Sequence, residues 1–142
     1  MVIEVYGNAL ESDCDVLCHQ VNLHGVMGAG IAAQIACSFP KVEKEYANYA
    51  DKSLGKVCFA TAKPGLVIAN CFSQNESFVT DYRALKECLN TVSDYMTANG
   101  LSSVAFPYHY GCGIASGDWN VVLGVIDEAF KDRVVKIYKR RR

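Results

Sequence analysis

Apolar residues in this chain fall into short runs whose spacing alternates between two periods. Six runs rich in Val, Ile, Phe and Tyr predict strands at Val2–Tyr6, Asp15–Val21, Val57–Ala62, Leu66–Phe72, Ser103–Pro107 and Val134–Tyr138. Between them the apolar spacing becomes helical. Tyr82, Leu85, Leu89, Val92 and Met96 recur at intervals of three and four, with Thr80 as the expected cap and Asn99-Gly100 as the stop. Trp119, Val122, Ile126 and Ala129 repeat the pattern behind Asp118, the expected N-cap. A further helix is predicted from Gly30 to about Ser38, and another, more exposed, over "KVEKEYANYADK" after Pro40. Strands alternating with helices predict an α/β sandwich on a largely parallel or mixed sheet.

Composition narrows the class without changing that outline. A chain of 142 residues, 51% hydrophobic and 20% charged, predicts one soluble domain over 1–142 with a sizeable core. The net charge of −1 supplies no bulk attraction for nucleic acid. The basic run Lys139-Arg140-Arg141-Arg142 reads as a solvated tail. "MVIEVYGNAL" lacks the cationic region of a signal peptide, and no apolar run approaches the roughly 18 residues that span a bilayer, so no membrane partner is expected. The seven cysteines are mostly set in apolar runs and read as reduced core residues of a cytoplasmic protein. With no CxxC pair, no zinc site or other metal is expected.

The candidate chemistry lies in two glycine-rich stretches, "HQVNLHGVMGAGIA" (19–32) and "PYHYGCGIASGDW" (107–119). Each follows a predicted strand and precedes a predicted helix, the position where open α/β sheets bind ligands. Residues 1–40 and 87–130 contain no Lys or Arg, so an anion held by these loops is expected to be held by backbone N–H groups and a helix N-terminus. That suits a diphosphate joined to neutral, hydroxyl-rich groups. Three familiar phosphate motifs fail. Ile31 stands where a P-loop needs its lysine, "GVMGAG" reverses the dinucleotide intervals, and Asp118 stands where a cysteine phosphatase loop starting at Cys112 needs its arginine.

Taken together and in this order, "HQVN", "GVMGAGIA", "FPKVEKEY", "IANCFSQ", "TDYRAL" and "PYHYGCGIASGDW" resemble the macro domain family along nearly the whole chain. The likeness is nearest to the small stand-alone branch with ADP-ribose-1″-phosphate phosphatases and phage and bacterial relatives. The resemblance implies a three-layer α/β/α sandwich that binds ADP-ribose or ADP-ribose-1″-phosphate without a cofactor. Nucleic acid is implied only as an ADP-ribosylated substrate. It implies that Asn8, beside Ala9, meets the adenine amino group, and that Asn22 lies near the distal ribose. It places Gly25, Val26, Met27, Gly28, Ala29, Gly30 and Ile31 beside the diphosphate and distal ribose, and Cys112, Gly113, Ile114, Ala115, Ser116 and Gly117 around the phosphates. Ser73 and Ala115 occupy the positions of a lysine and an aspartate that some relatives use to hydrolyse ADP-ribosyl-glutamate, so that covalent route is not implied here.

Four side chains are candidates for catalysis. Asn22 can hold both a ribose hydroxyl and a water. Asp118 is read either as an N-cap or as a base for attack at C1″. His19 is read as a core residue or as an acid that orients Asn22, and His24 as a loop residue able to approach the distal ribose. His109 is as much a bystander as a participant. The leading expectation is a metal-independent hydrolase acting at C1″, an ADP-ribose-1″-phosphate phosphatase. The alternatives are a binder of ADP-ribose or another NAD-derived nucleotide, and a hydrolase removing ADP-ribose from macromolecules.

Overall fold

The computed structural model describes residues 1–28, 30–110 and 117–140. Six strands form one sheet: β1 (Val2–Tyr6), β2 (Val16–Val21), β3 (Val57–Lys63), β4 (Leu66–Phe72), β5 (Ser103–Pro107) and β6 (Val134–Lys139). Their order is β1-β6-β5-β2-β4-β3. All pairings are parallel except β3 with β4, which are joined through a turn where Gly65 takes φ +84°. β2 runs between two parallel neighbours. Five of its six residues are buried, which is why it reads as a nearly continuous apolar run.

Strand periodicity sorts alternate side chains to opposite faces. Val16, Cys18, Ala69, Cys71, Val104, Phe106, Val135 and Ile137 meet α3 (Tyr82–Ala98) and α4 (Trp119–Ala129). Leu17, Val21, Ile68, Phe72 and Ala105 meet α1 (Gly30–Ser38) and α2 (Pro40–Ala47). The result is a three-layer α/β/α sandwich on a mixed, mostly parallel sheet. Fully buried Leu85, Leu89, Val92 and Met96 form the stripe of α3 expected from their spacing. No helix among the described residues is long and apolar enough to cross a membrane.

Two element starts differ from the sequence reading for hydrogen-bonding reasons, and one helix differs in its burial. β2 starts at Val16, because Asp15 accepts N–H bonds from Ser102 (2.9 Å) and Ser103 (3.3 Å) and so clamps the starts of β2 and β5. Chiefly the Ser102 bond holds the Asp15 carboxyl below its ordinary range. The cap of α3 is Asp81, whose Oδ1 accepts from Ala84 N at 2.9 Å, while Thr80 Oγ1 instead accepts from Gln20 Nε2 at 3.1 Å. α2 is less exposed than expected, since Val42 and Tyr46, one turn apart, are fully buried. The cysteines at 14, 18, 58, 71 and 88 are buried, whereas Cys37 is exposed on α1.

Candidate functional site

The carboxyl ends of β1, β6 and β5 open into a cleft of about 990 Å³, closed on its far side by the first turns of α1. Asn8 and Ala9 line it just after β1, and Ile31 and Gln34, three residues apart on one face of α1, line it opposite. Asn8 is also structural. Its Oδ1 accepts from Leu10 N at 3.0 Å and caps the short 3-10 turn Ala9–Glu11. The turn buries Ala9 and Leu10 under the cleft floor.

Sequence reasoning missed much of this wall. Tyr6, Tyr108 and Tyr138, from the ends of three different strands, give it aromatic faces, and Lys139 and Arg140 give it cations. The supposed solvated tail therefore begins as cleft wall. Lys139 is the last residue of β6. Its Nζ lies 3.1 Å from the Glu4 carboxylate on neighbouring β1 and 4.3 Å from the centre of the Tyr108 ring. Arg140 follows it, with a guanidinium N–H donating to Gln34 Oε1. The cation-free segments around the glycine loops gave no sign of these two side chains in the cleft wall. Parallel pairing carries the end of β6 beside β1 and β5, a neighbourhood that sequence distance conceals.

At the end of β2 the first glycine loop holds itself. Asn22 Nδ2 donates to Val26 O at 2.8 Å, and Oδ1 accepts from His24 N at 2.9 Å. The Tyr46 hydroxyl reaches from α2 to within 2.7 Å of Asn22 O and 2.8 Å of its Oδ1. Burial pushes the Tyr46 hydroxyl up to about 12, so it stays protonated as a donor. Gly25 takes φ +79°, and a Cβ there would come 3.2 Å from Lys52 Cε. Met27 is buried and Val26 is exposed, so the loop is pinned from below and open above. At the start of α1, Gly30 takes φ +57°, and nothing stands within 4 Å of where its Cβ would be. That leaves room for close backbone approach by a ligand at a helix N-terminus. Gly28 is exposed in the same segment.

The catalytic candidates separate. His24 is exposed, tilted against Phe78 at 5.0 Å, with Nε2 placed 3.3 Å from Glu76 O, to which it donates. Asp118 caps α4, its Oδ1 accepting from Asn120 N at 2.9 Å, as the sequence proposed. Gly117 beside it is half-buried. His19 is corrected: it is fully buried opposite Asn70 on β4, with Nε2 and Asn70 Oδ1 2.6 Å apart. Asn70 Nδ2 donates in turn to Cys58 O at 2.9 Å, so the amide oxygen must accept and the imidazole must donate. Nδ1 has no hydrogen-bond partner among the described residues, and burial pushes the ring's pKa below the ordinary histidine value. His19 is thus a neutral core residue out of reach of a ligand. His109 sits at φ +62°, stacked on Tyr108 at 3.8 Å. Ala29, Cys112, Gly113, Ile114, Ala115 and Ser116 lie outside the described residues.

The segment facing His24 rests on a polar network that the sequence did not reveal. Gln20 on β2 donates to Ser73 Oγ at 2.9 Å and accepts from Gln74 Nε2 at 3.0 Å. Ser73 is fully buried. Asn75 Oδ1 accepts from Ser77 N at 2.9 Å and Val79 N at 3.1 Å, tightening a turn in which Phe78 takes φ +64°. A bulky residue with that φ is held by its surroundings.

With fold and cleft described, the class follows: the macro domain profile matches residues 18–126, and the chain belongs to the macro domain family. It is 28% identical over 123 residues to the human ADP-ribose glycohydrolase OARD1, covering 87% of this chain and 79% of that protein. It is 25% identical over 132 residues to an uncharacterised 17.5 kDa protein of Enterobacteria phage T4, covering 84% and 82%. Among solved structures, the macrodomain of Thermus aquaticus DarG matches with a TM-score of 0.85 and 25% identity over 98% of both chains.

Proposed function

We propose that this chain binds ADP-ribose in the cleft and hydrolyses the substituent at its C1″, with ADP-ribose-1″-phosphate as the substrate. The observation that carries the reading is the continuity of the cleft wall with the glycine start of α1. Asn8 and Ala9 line one end, and Gly30 leaves the helix N-terminus open at the other. The adenosine lies among Asn8, Tyr108 and Tyr138, and the diphosphate lies along the start of α1. Its charge is met there by backbone N–H groups and the helix dipole. The loop that Asn22 holds then faces the distal ribose.

In that arrangement the chain positions substrate and water. Water supplies the hydroxyl of the product, and its second proton leaves with the phosphate. The name of the human relative, ADP-ribose glycohydrolase, supports hydrolysis as the class of reaction. Ser73, buried and bonded to Gln20, offers no amine for a lysine-dependent covalent route. The reaction is proposed to be metal-independent, with substrate positioning and an oriented water supplying the catalysis.

A second reading, capture of ADP-ribose without turnover, is favoured by one observation: Asn22 spends both its amide oxygen and an N–H on its own loop. Inorganic phosphate release from ADP-ribose-1″-phosphate in the presence of EDTA separates the two. Release lost in Asn22→Ala is the expected result. Tight ADP-ribose binding with no phosphate released over hours leaves the binder. Release of ADP-ribose from modified protein or nucleic acid instead transfers the reaction to macromolecular substrates.

A further inference from the structure

The adenosine end of the cleft carries a charge that a neutral nucleoside does not need. Its wall contains two cations, Lys139 and Arg140, and no carboxylate. Lys139 is accounted for by Glu4 at 3.1 Å and by the Tyr108 ring. Arg140 is not. Its side chain is exposed, its contact is the neutral amide of Gln34, and among the described residues no carboxylate forms an ion pair with it. That contact holds one guanidinium N–H from α1, and Arg140 is part of the cleft wall. Asn8 points the same way chemically. A carboxylate at this position would repel an anion. Here the group is neutral, and its oxygen is taken by the Leu10 N–H, so its Nδ2 hydrogens are the donors left over. A spare guanidinium fork, spare amide donors and no negative charge make a site for a phosphate monoester. The chain as a whole carries −1, so this local sign is not a reflection of bulk charge.

We propose that the adenosine end of the cleft binds a phosphate monoester carried on the nucleoside ribose, gripped by Arg140 with Gln34 orienting it. The preferred ligand is then a ribose-phosphorylated ADP-ribose, the nucleotide left when a phosphorylated nicotinamide dinucleotide loses its nicotinamide. The inference rests on the proposed binding of ADP-ribose and deepens it. A 2′-phosphate would come from such a dinucleotide, and a 3′-phosphate from the end or linkage of a nucleotide chain. The chemistry is shared, and the isomers tell the sources apart.

Calorimetry at low salt on the full chain tests it, with ADP-ribose, ADP-ribose 2′-phosphate, AMP, and the 2′,5′- and 3′,5′-bisphosphates of adenosine as probes. The expected result is about tenfold tighter binding for ADP-ribose 2′-phosphate than for ADP-ribose and for the 2′,5′-bisphosphate than for AMP, the size of one charge-assisted contact, whereas a gain confined to the 3′,5′-bisphosphate assigns the phosphate to a nucleotide chain. That ratio falls to within about twofold of unity in Arg140→Ala, and Arg140→Lys keeps part of it, because a point charge lacks the fork. Gln34→Ala lowers the ratio by a smaller factor, and rising salt shrinks it. Equal affinities with and without the added phosphate overturn the proposal, as does a preference that survives Arg140→Ala. Should ADP-ribose itself fail to bind, the AMP and bisphosphate pair still reads the phosphate site. The two proposals therefore fail separately.

Discussion

In the cleft at the carboxyl ends of β1, β6 and β5, side chains do the lining, whereas in the glycine loop after β2 the side chains are occupied in holding the backbone of residues 22–28. Tyr6, Tyr108, Tyr138, Lys139 and Arg140 converge on the first from three strands. At the second, Asn22 bonds Val26 and His24 within its own loop, and Tyr46 braces it from α2. The difference separates two tasks. An end that recognises a flat, neutral base and its sugar gains from varied side chains. An end that must present N–H groups to charge and hold a water gains from rigid backbone. The first can be retuned one residue at a time, and the second stands or falls with its few internal hydrogen bonds.

The sharpest way to break that contrast is Asn22→Ala. Removing its side chain frees the loop, and a misplacement of about 1 Å costs roughly 100-fold in turnover. Single-turnover phosphate release measures it. An unchanged rate would show that the loop keeps its shape without Asn22.

Tyr46→Phe is milder, because it removes one donor and leaves the Asn22 oxygen partly served. We expect a loss of about 1–2 kcal/mol in urea unfolding, together with slower turnover. A loss of stability with turnover intact would confine Tyr46 to the core. At the other end, Asn8→Ala removes a cap and costs about 1 kcal/mol of stability. It weakens ADP-ribose binding by more than it slows the bound substrate, which comparison of KM with kcat shows. A fall in kcat alone would contradict the division of labour.

The smallest effect concerns His19, which belongs to neither end. Its folded pKa lies below the ordinary 6.5, so below about pH 6.5 the unfolded chain takes up a proton that the folded chain refuses. Stability from this group is complete above that pH and declines as pH falls towards the folded value. Urea midpoints followed from about pH 7.5 to 4.5 should show this decline, and His19→Gln should flatten part of it. A slope unaltered by that substitution would assign the acid sensitivity to other groups.

Local sequence determined the strands, the helices and the capping of α4 by Asp118, because period, turn chemistry and caps act over a few residues. The run of motifs from His19 to Trp119 carried the family resemblance, and with it the positions of both glycine loops. What only the tertiary structure decided was neighbourhood. Parallel pairing laid the end of β6 beside β1 and β5, and so made Lys139 and Arg140 part of a cleft wall. The Tyr46 brace on Asn22 spans 24 residues, and the Gln20 bond to Ser73 spans 53. For His19 the sequence left a core and a catalytic role open, and the register that sets Asn70 opposite it decided for the core. Hydrogen bonds and charges act through space, and the chain brings their partners together only after the sheet has formed.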